Sequence, residues 1–123
     1  MAIAQVVAYR ATCPRASVGA VLVLQNRIIS TGYNGSAPGH PHCTEMGCLM
    51  EEGHCQRTLH AEVNAIAWAA RAGVRVEGAR LYMWSSRGDG TPCRECQKVL
   101  RAAGVLTVTV QDDIITRPRK EAL

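Results

Sequence analysis

Val18-Gly19-Ala20-Val21-Leu22-Val23-Leu24 is a nearly continuous apolar run, rich in valine. Such a run reads as a strand covered on both faces rather than one with a wet side. Gln25-Asn26 follows as a two-residue turn, and 27–33 reads as the returning strand of a hairpin. Upstream, Ile3, Val6, Val7 and Ala11 recur at helical spacing, which predicts a short helix ended by Pro14. Downstream, residues 34–58 are polar and rich in Gly, Pro, His and Cys. A loop of that length in a compact domain is usually functional or tied down. Residues 60–71 then read as an Ala-rich helix with Gly73 just past its end. A strand over 79–84, a helix over 93–103 ending at Gly104, and a strand over 105–110 complete the pattern, and the polar tail reads as frayed. The order predicts a layered α/β domain over residues 1–123, its sheet part antiparallel and part parallel.

Composition narrows the function. The chain has 123 residues, 47% hydrophobic and 20% charged, which suits one globular core. It has two Trp, three Tyr and no Phe, too few aromatics for a track on which single-stranded bases stack. The net charge of +4 is scattered along the chain and fits a small anionic ligand rather than a nucleic-acid stripe. No apolar run approaches the length of a membrane span, and the N-terminus lacks the basic start of an export signal. A cytoplasmic, reducing location follows as the expectation. There, six cysteines suggest metal or catalysis before disulfides.

Two helix starts carry the chemistry. His60-Ala61-Glu62 opens one and Pro92-Cys93-Arg94-Glu95-Cys96 opens the other, with a strand between. The H-x-E…P-C-x-x-C pattern is a known mark of zinc nucleobase deaminases. Cys93 and Cys96, three apart, share a helix face at the positive end of the helix dipole, which favours thiolates. Pro92 fixes the chain's entry into the helix and gives up an N–H that would be unpaired anyway. Two thiolates and the His60 imidazole make three zinc ligands and leave the fourth position for water, whose pKa zinc lowers towards roughly 7 to give hydroxide. Glu62 lies too far around the helix to stack with His60. It suits a proton shuttle from water to the ring nitrogen and then to the departing amine. A structural zinc or a redox CxxC would leave Glu62, or both His60 and Glu62, without a purpose.

Thr31-Gly32-Tyr33-Asn34-Gly35, Pro41-His42-Cys43, Gly47-Cys48-Leu49-Met50, the His60 segment with Asn64-Ala65-Ile66, and Pro92-x-x-x-Cys96 extend the pattern over nearly the whole chain. In these segments the sequence resembles the deoxycytidylate (dCMP) deaminases, nearest to the bacterial and phage variety that includes the competence-operon deaminase. The resemblance implies a cytidine-deaminase-like three-layer α/β/α sandwich with a five-stranded mixed sheet. It implies hydrolysis of dCMP to dUMP and ammonia, with Zn2+ on His60, Cys93 and Cys96 and the shuttle on Glu62. It further suggests substrate contacts from Asn34, Arg57 and Asn64, a homo-oligomer (often a hexamer), and dCTP and dTTP as effectors. No nucleic-acid or membrane partner is implied. One departure is the link between the strand and Pro92, which is longer than the family's and leaves Trp84 beside the expected base pocket. The substrate could therefore be a 5-modified dCMP. Riboflavin-pathway pyrimidine, guanine and tRNA adenosine deaminases use similar motifs, and a non-catalytic zinc-stabilised binding module is the reading from another class.

Cys13, Cys43, Cys48 and Cys55 remain. A second, structural zinc held by these four would order the long loop, as it does in some phage dCMP deaminases that the chain resembles. His40, His42 and His54 compete as ligands. The other reading makes the four cysteines small buried thiols.

Overall fold

A computed structural model of the chain describes residues 2–12, 16–36, 39, 50–51, 54–55, 59–87, 91–111 and 119–122. The elements in order are α1 (Ala2–Ala8), β1 (Val18–Leu24), β2 (Arg27–Tyr33), β3 (Met50–Glu51), β4 (His54–Cys55), α2 (Ala61–Arg71), β5 (Arg80–Ser85), α3 (Arg94–Ala102), β6 (Thr107–Gln111) and β7 (Arg119–Ala122). The apolar run and its return form the predicted hairpin. Gln25 and Asn26 both sit at positive φ, 52° and 63°, which twists the turn to match the flanking strands.

β1 lies between β2 and β5, antiparallel to both, and β6 runs parallel to β5. These four make the mixed sheet that the sequence order predicted. β7 pairs antiparallel with the outer edge of β6, where only a polar tail was expected. Among the described residues it alone stands in the place of the implied fifth strand. The short β3–β4 ladder forms within the segment read as a loop.

Register assigns the two faces of the sheet. Leu22, Leu81 and Val108 align across one face, as do Ala20, Met83 and Val110. All six are buried, together with Ala61, Ala65 and Ala69 of α2 and Leu100 of α3. This is the principal core, built from Val, Leu and Ala as the absence of Phe requires. The opposite face carries α1. Gly19 lies under that helix, where a Cβ would collide with the carbonyl of Ala4. Gly32, on the core face, lies under α2, where a Cβ would collide with the carbonyl of Ala61 and the amide of Ala65. A glycine inside a strand marks such close backbone approach. Helices therefore cover both faces, giving the expected three layers.

α2 and α3 end alike. In each, a glycine at positive φ (Gly73 and Gly104) closes the last turn, and the following valine amide bonds back to a helix carbonyl. This is the Schellman arrangement the sequence indicated.

Candidate metal centre and active site

The helix starts bring the reactive side chains together. His60 is the N-cap of α2 and Cys93 the N-cap of α3, both with extended backbone and neither making a side-chain cap hydrogen bond. The helix starts one residue later than the sequence indicates: Cys93 is the N-cap and not the first helical residue, and Pro92 stands just before it. Cys93 and Cys96 thus occupy the N-cap and N3 positions, which face each other in a capping box. Histidine and cysteine are poor cap residues. Their side chains turn towards each other instead of towards the helix amides.

The His60 Nδ1 lies 3.1 Å from the Cys96 Sγ and 3.6 Å from the Cys93 Sγ. The three ligand atoms all lie within 4.8 Å of one another. A tetrahedral zinc with Zn–N of about 2.0 Å and Zn–S of about 2.3 Å separates its ligand atoms by roughly 3.5–3.8 Å. The His60–Cys93 spacing meets that value, the His60–Cys96 spacing is tighter and would open by a few tenths of an ångström around an ion, and two sulfurs with one imidazole suit zinc.

Electrostatics point the same way. Glu62 is buried, 3% exposed, at the second position of α2. Burial raises its pKa above the carboxylate range, opposed by a backbone hydrogen bond, His60 and Cys96. Burial also pushes the Cys96 thiol up, helped by Glu62 and Cys93. Two thiols and a carboxyl share one enclosed space, and a divalent cation is what would let them ionise together.

The remaining expected site residues separate into groups. Asn34 is buried, and its carboxamide is committed to backbone: Oδ1 accepts from the Val18 amide at 2.8 Å and Nδ2 donates to the Ala16 carbonyl at 2.7 Å. Asn64 donates from Nδ2 to the Tyr33 carbonyl at 2.7 Å. Both carboxamides tie backbone together at the start of β1 and the end of β2. Trp84 alternates with the core residue Met83, so it faces the α1 side of the sheet and not the side carrying the ligand helices. It aligns there with Gly19, and its buried Nε1 has no hydrogen-bond partner. Arg57, Cys13, Cys43, Cys48, His40 and His42 lie outside the described residues; Cys55 and His54 lie in β4, where their backbones pair with Met50 and Glu51 of β3. The second metal site therefore rests on the sequence alone.

The sequence reading missed several contributors. Gly32 and Ser30 seat α2 on β2, Ser30 Oγ donating to the Ala65 carbonyl at 2.7 Å. The Leu59 and Gly35 backbones exchange two hydrogen bonds just before His60. Gln97 Nε2 donates to the Pro92 carbonyl at 2.9 Å. Only Gly32, a glycine inside a strand, carried a signal that could have revealed its role.

Known proteins are similar to this chain. A family model described as the cytidine and deoxycytidylate deaminase zinc-binding region matches residues 1–111. ComE operon protein 2 of Bacillus subtilis (strain 168) is 44% identical over 123 residues, covering 100% of this chain and 62% of that protein. The chain thus spans under two thirds of that relative. The deoxycytidylate deaminase of Enterobacteria phage T4 is 32% identical, over 84% of this chain and 70% of the relative. Among solved structures, the dCMP deaminase of cyanophage S-TIM5, in complex with dCMP and dUMP, superposes with a TM-score of 0.71 at 31% identity, covering 87% of this chain and 74% of that one. The matched region contains both ligand-bearing helix starts with Glu62 between them, and so this chain belongs to the cytidine and deoxycytidylate deaminase family.

Proposed function

We propose that the chain is a zinc-dependent deaminase that hydrolyses dCMP to dUMP and ammonia. The observation that carries this reading is the convergence of His60, Cys93 and Cys96 on one point beside a buried Glu62. His60 Nδ1 and the two thiolates would hold the zinc. When bound, zinc supplies a Lewis acid that makes water acidic near neutral pH. Glu62 accepts the proton of the attacking water through its carboxylate and donates it to the pyrimidine ring nitrogen. It then passes the second proton to the exocyclic amine, which leaves as ammonia while the ring carbon keeps the oxygen. Burial favours this shuttle, because a carboxyl in a dry site holds and returns protons nearer neutral pH than an exposed one.

The pyrimidine nucleotide is favoured over guanine or adenosine because relatives named as dCMP deaminases match most of the chain, and the S-TIM5 neighbour holds dCMP and dUMP. A second zinc on Cys13, Cys43, Cys48 and Cys55, dCTP and dTTP as effectors, a homo-oligomer and a cytoplasmic location complete the reading. None of the helices is long and apolar enough to cross a membrane among the described residues.

A panel of dCMP, CMP, dCTP, deoxycytidine and guanine, followed by ammonia release, tests the substrate. Turnover of dCMP well above the others is the expected result. Preference for another member of the panel would replace the substrate, and no ammonia from any would return the chain to a binding role. Zinc analysis of fresh protein checks the second site, with two ions per chain expected.

A further inference from the structure

The two ligand-bearing helices share a feature that the chemistry above does not use. Counting His60 and Cys93 as N-caps, Asn64 and Gln97 both fall at the N4 position of their helices. Each is a carboxamide, and each donates to a backbone carbonyl outside its helix: Asn64 to Tyr33 at 2.7 Å and Gln97 to Pro92 at 2.9 Å. In ordinary helices the N-cap side chain bonds a first-turn amide, and an apolar N′ residue packs on N4 to fix how the chain enters. Here the N-cap side chains are turned to each other and do not cap. At α2 the N′ residue Leu59 is fixed from outside, by two backbone bonds to Gly35. At α3 the N′ residue is Pro92, which has no N–H, so its carbonyl is the one backbone group it can offer.

We propose that Gln97 is a positioning residue for the zinc ligand Cys93, with Asn64 its counterpart for His60. The Gln97 side chain closes residues 92–97 into a ring that sets the backbone entering Cys93, and hence where the Cys93 Sγ points. Such a brace also isolates the thiolate from the long link that precedes Pro92. The inference rests on the zinc reading of the site. It makes Asn64 and Gln97 parts of the scaffold around the ion rather than contacts to the nucleotide.

The test is zinc retention in the full chain. Zinc content of the wild type is read first: a wild type that takes up no zinc overturns the metal reading and this proposal with it. Gln97→Met keeps length and helix propensity but removes the donor. Gln97→Glu keeps shape and also lacks the donor. Zinc transfer to a chromogenic chelator should speed up about 10- to 100-fold in both, the usual effect of losing an outer partner of a ligand. The sulfur-to-metal charge-transfer band of the Co2+-loaded protein should shift, while the unfolding midpoint of the metal-free protein should not. Unchanged zinc release in either variant, in a wild type that does hold zinc, overturns the proposal alone. So does faster release accompanied by an equal loss of metal-free stability, because that is ordinary helix damage. Asn64→Leu is read the same way at His60, and Gln97→Met decides the matter if that buried variant does not fold.

Discussion

The first turns of α2 and α3 follow one formula with opposite support. Each places a metal ligand at the N-cap, a glutamate at N2 (Glu62 and Glu95), a carboxamide at N4, and a glycine past the C-terminus. α2 lies against the sheet, with Gly32 beneath it, Ser30 bonded to the Ala65 carbonyl, and Glu62 and Asn64 buried. α3 buries only Cys96 and Leu100 and turns Arg94, Glu95, Lys98 and Arg101 to solvent. The sheet thus fixes the helix that carries the shuttle. The helix that carries the thiols is anchored through Leu100 and α2, and on the reading above its first turn depends on its own brace and on the ion. Position in the helix does not decide a residue's role; what the helix packs against does.

The sharpest test of that comparison is Glu62→Gln. The variant should bind zinc like the wild type, and its turnover should fall about 10³-fold, within the usual range for removing a general acid–base. Zinc content beside ammonia release checks it. Activity within tenfold of wild type would remove Glu62 from the shuttle. Next is the seat of α2. Gly32→Ala forces a Cβ into helix backbone that cannot step aside as a side chain can, so overpacking should cost about 2–3 kcal/mol. Denaturant unfolding measures this. Turnover should fall with it, because His60 and Glu62 ride on the displaced helix.

Zinc removal should separate the two helices directly. Amide exchange in the metal-free protein should quicken over 93–97 at least tenfold more, about 1.4 kcal/mol, than over 61–65. Equal loosening at both starts would mean that the sheet contacts do not hold α2 by themselves. The metal-free protein also makes a pH prediction. Burial raises the Glu62 pKa in the folded state, so the native form holds that proton more tightly than the unfolded chain does. Stability from this group is therefore present below the ordinary carboxylate pKa and is lost as pH rises towards the folded value. Metal-free Glu62→Gln should unfold later than metal-free wild type near neutral pH, and the gap should close on acidification towards about pH 4. Denaturation midpoints across that range measure it.

How far the sequence reveals all this depends on where each answer is stored. The hairpin is legible because Val18–Leu24 and the Gln25-Asn26 turn are local signals. The helix ends are legible because Gly73 and Gly104 need positive φ. The triad and Glu62 are legible because metal chemistry restricts residue types and spacing. Trp84 is not. It and Met83 are both large and apolar, so alternation alone cannot say which of them faces the core; only the register with Gly19 does. Asn34 and Asn64 carry the right chemistry for a nucleotide, yet neighbouring carbonyls claim them, and those carbonyls are set by tertiary packing. The start of α3 falls one residue later than Cys93 because Cys93 keeps extended backbone and turns its sulfur to His60, which local propensity does not encode.

The smallest effect belongs to the mirror-image mutation. Glu95 occupies the same N2 position in α3 that Glu62 occupies in α2. Its side chain is 80% exposed and pairs with Lys98 at 3.0 Å. An exposed pair one helical turn apart is worth under about 0.5 kcal/mol, and salt screens it further. The negative charge near a helix N-terminus adds a few tenths of a kcal/mol at low ionic strength. Glu95→Gln should therefore shift the denaturation midpoint only slightly and leave both zinc content and turnover within about twofold. The same chemical change at the same helix position then spans about three orders of magnitude in turnover between α2 and α3. If Glu95→Gln instead lost zinc, the Cys93 thiolate would depend on the surface charge of α3, and α3 would no longer be the helix set by its brace and its ion.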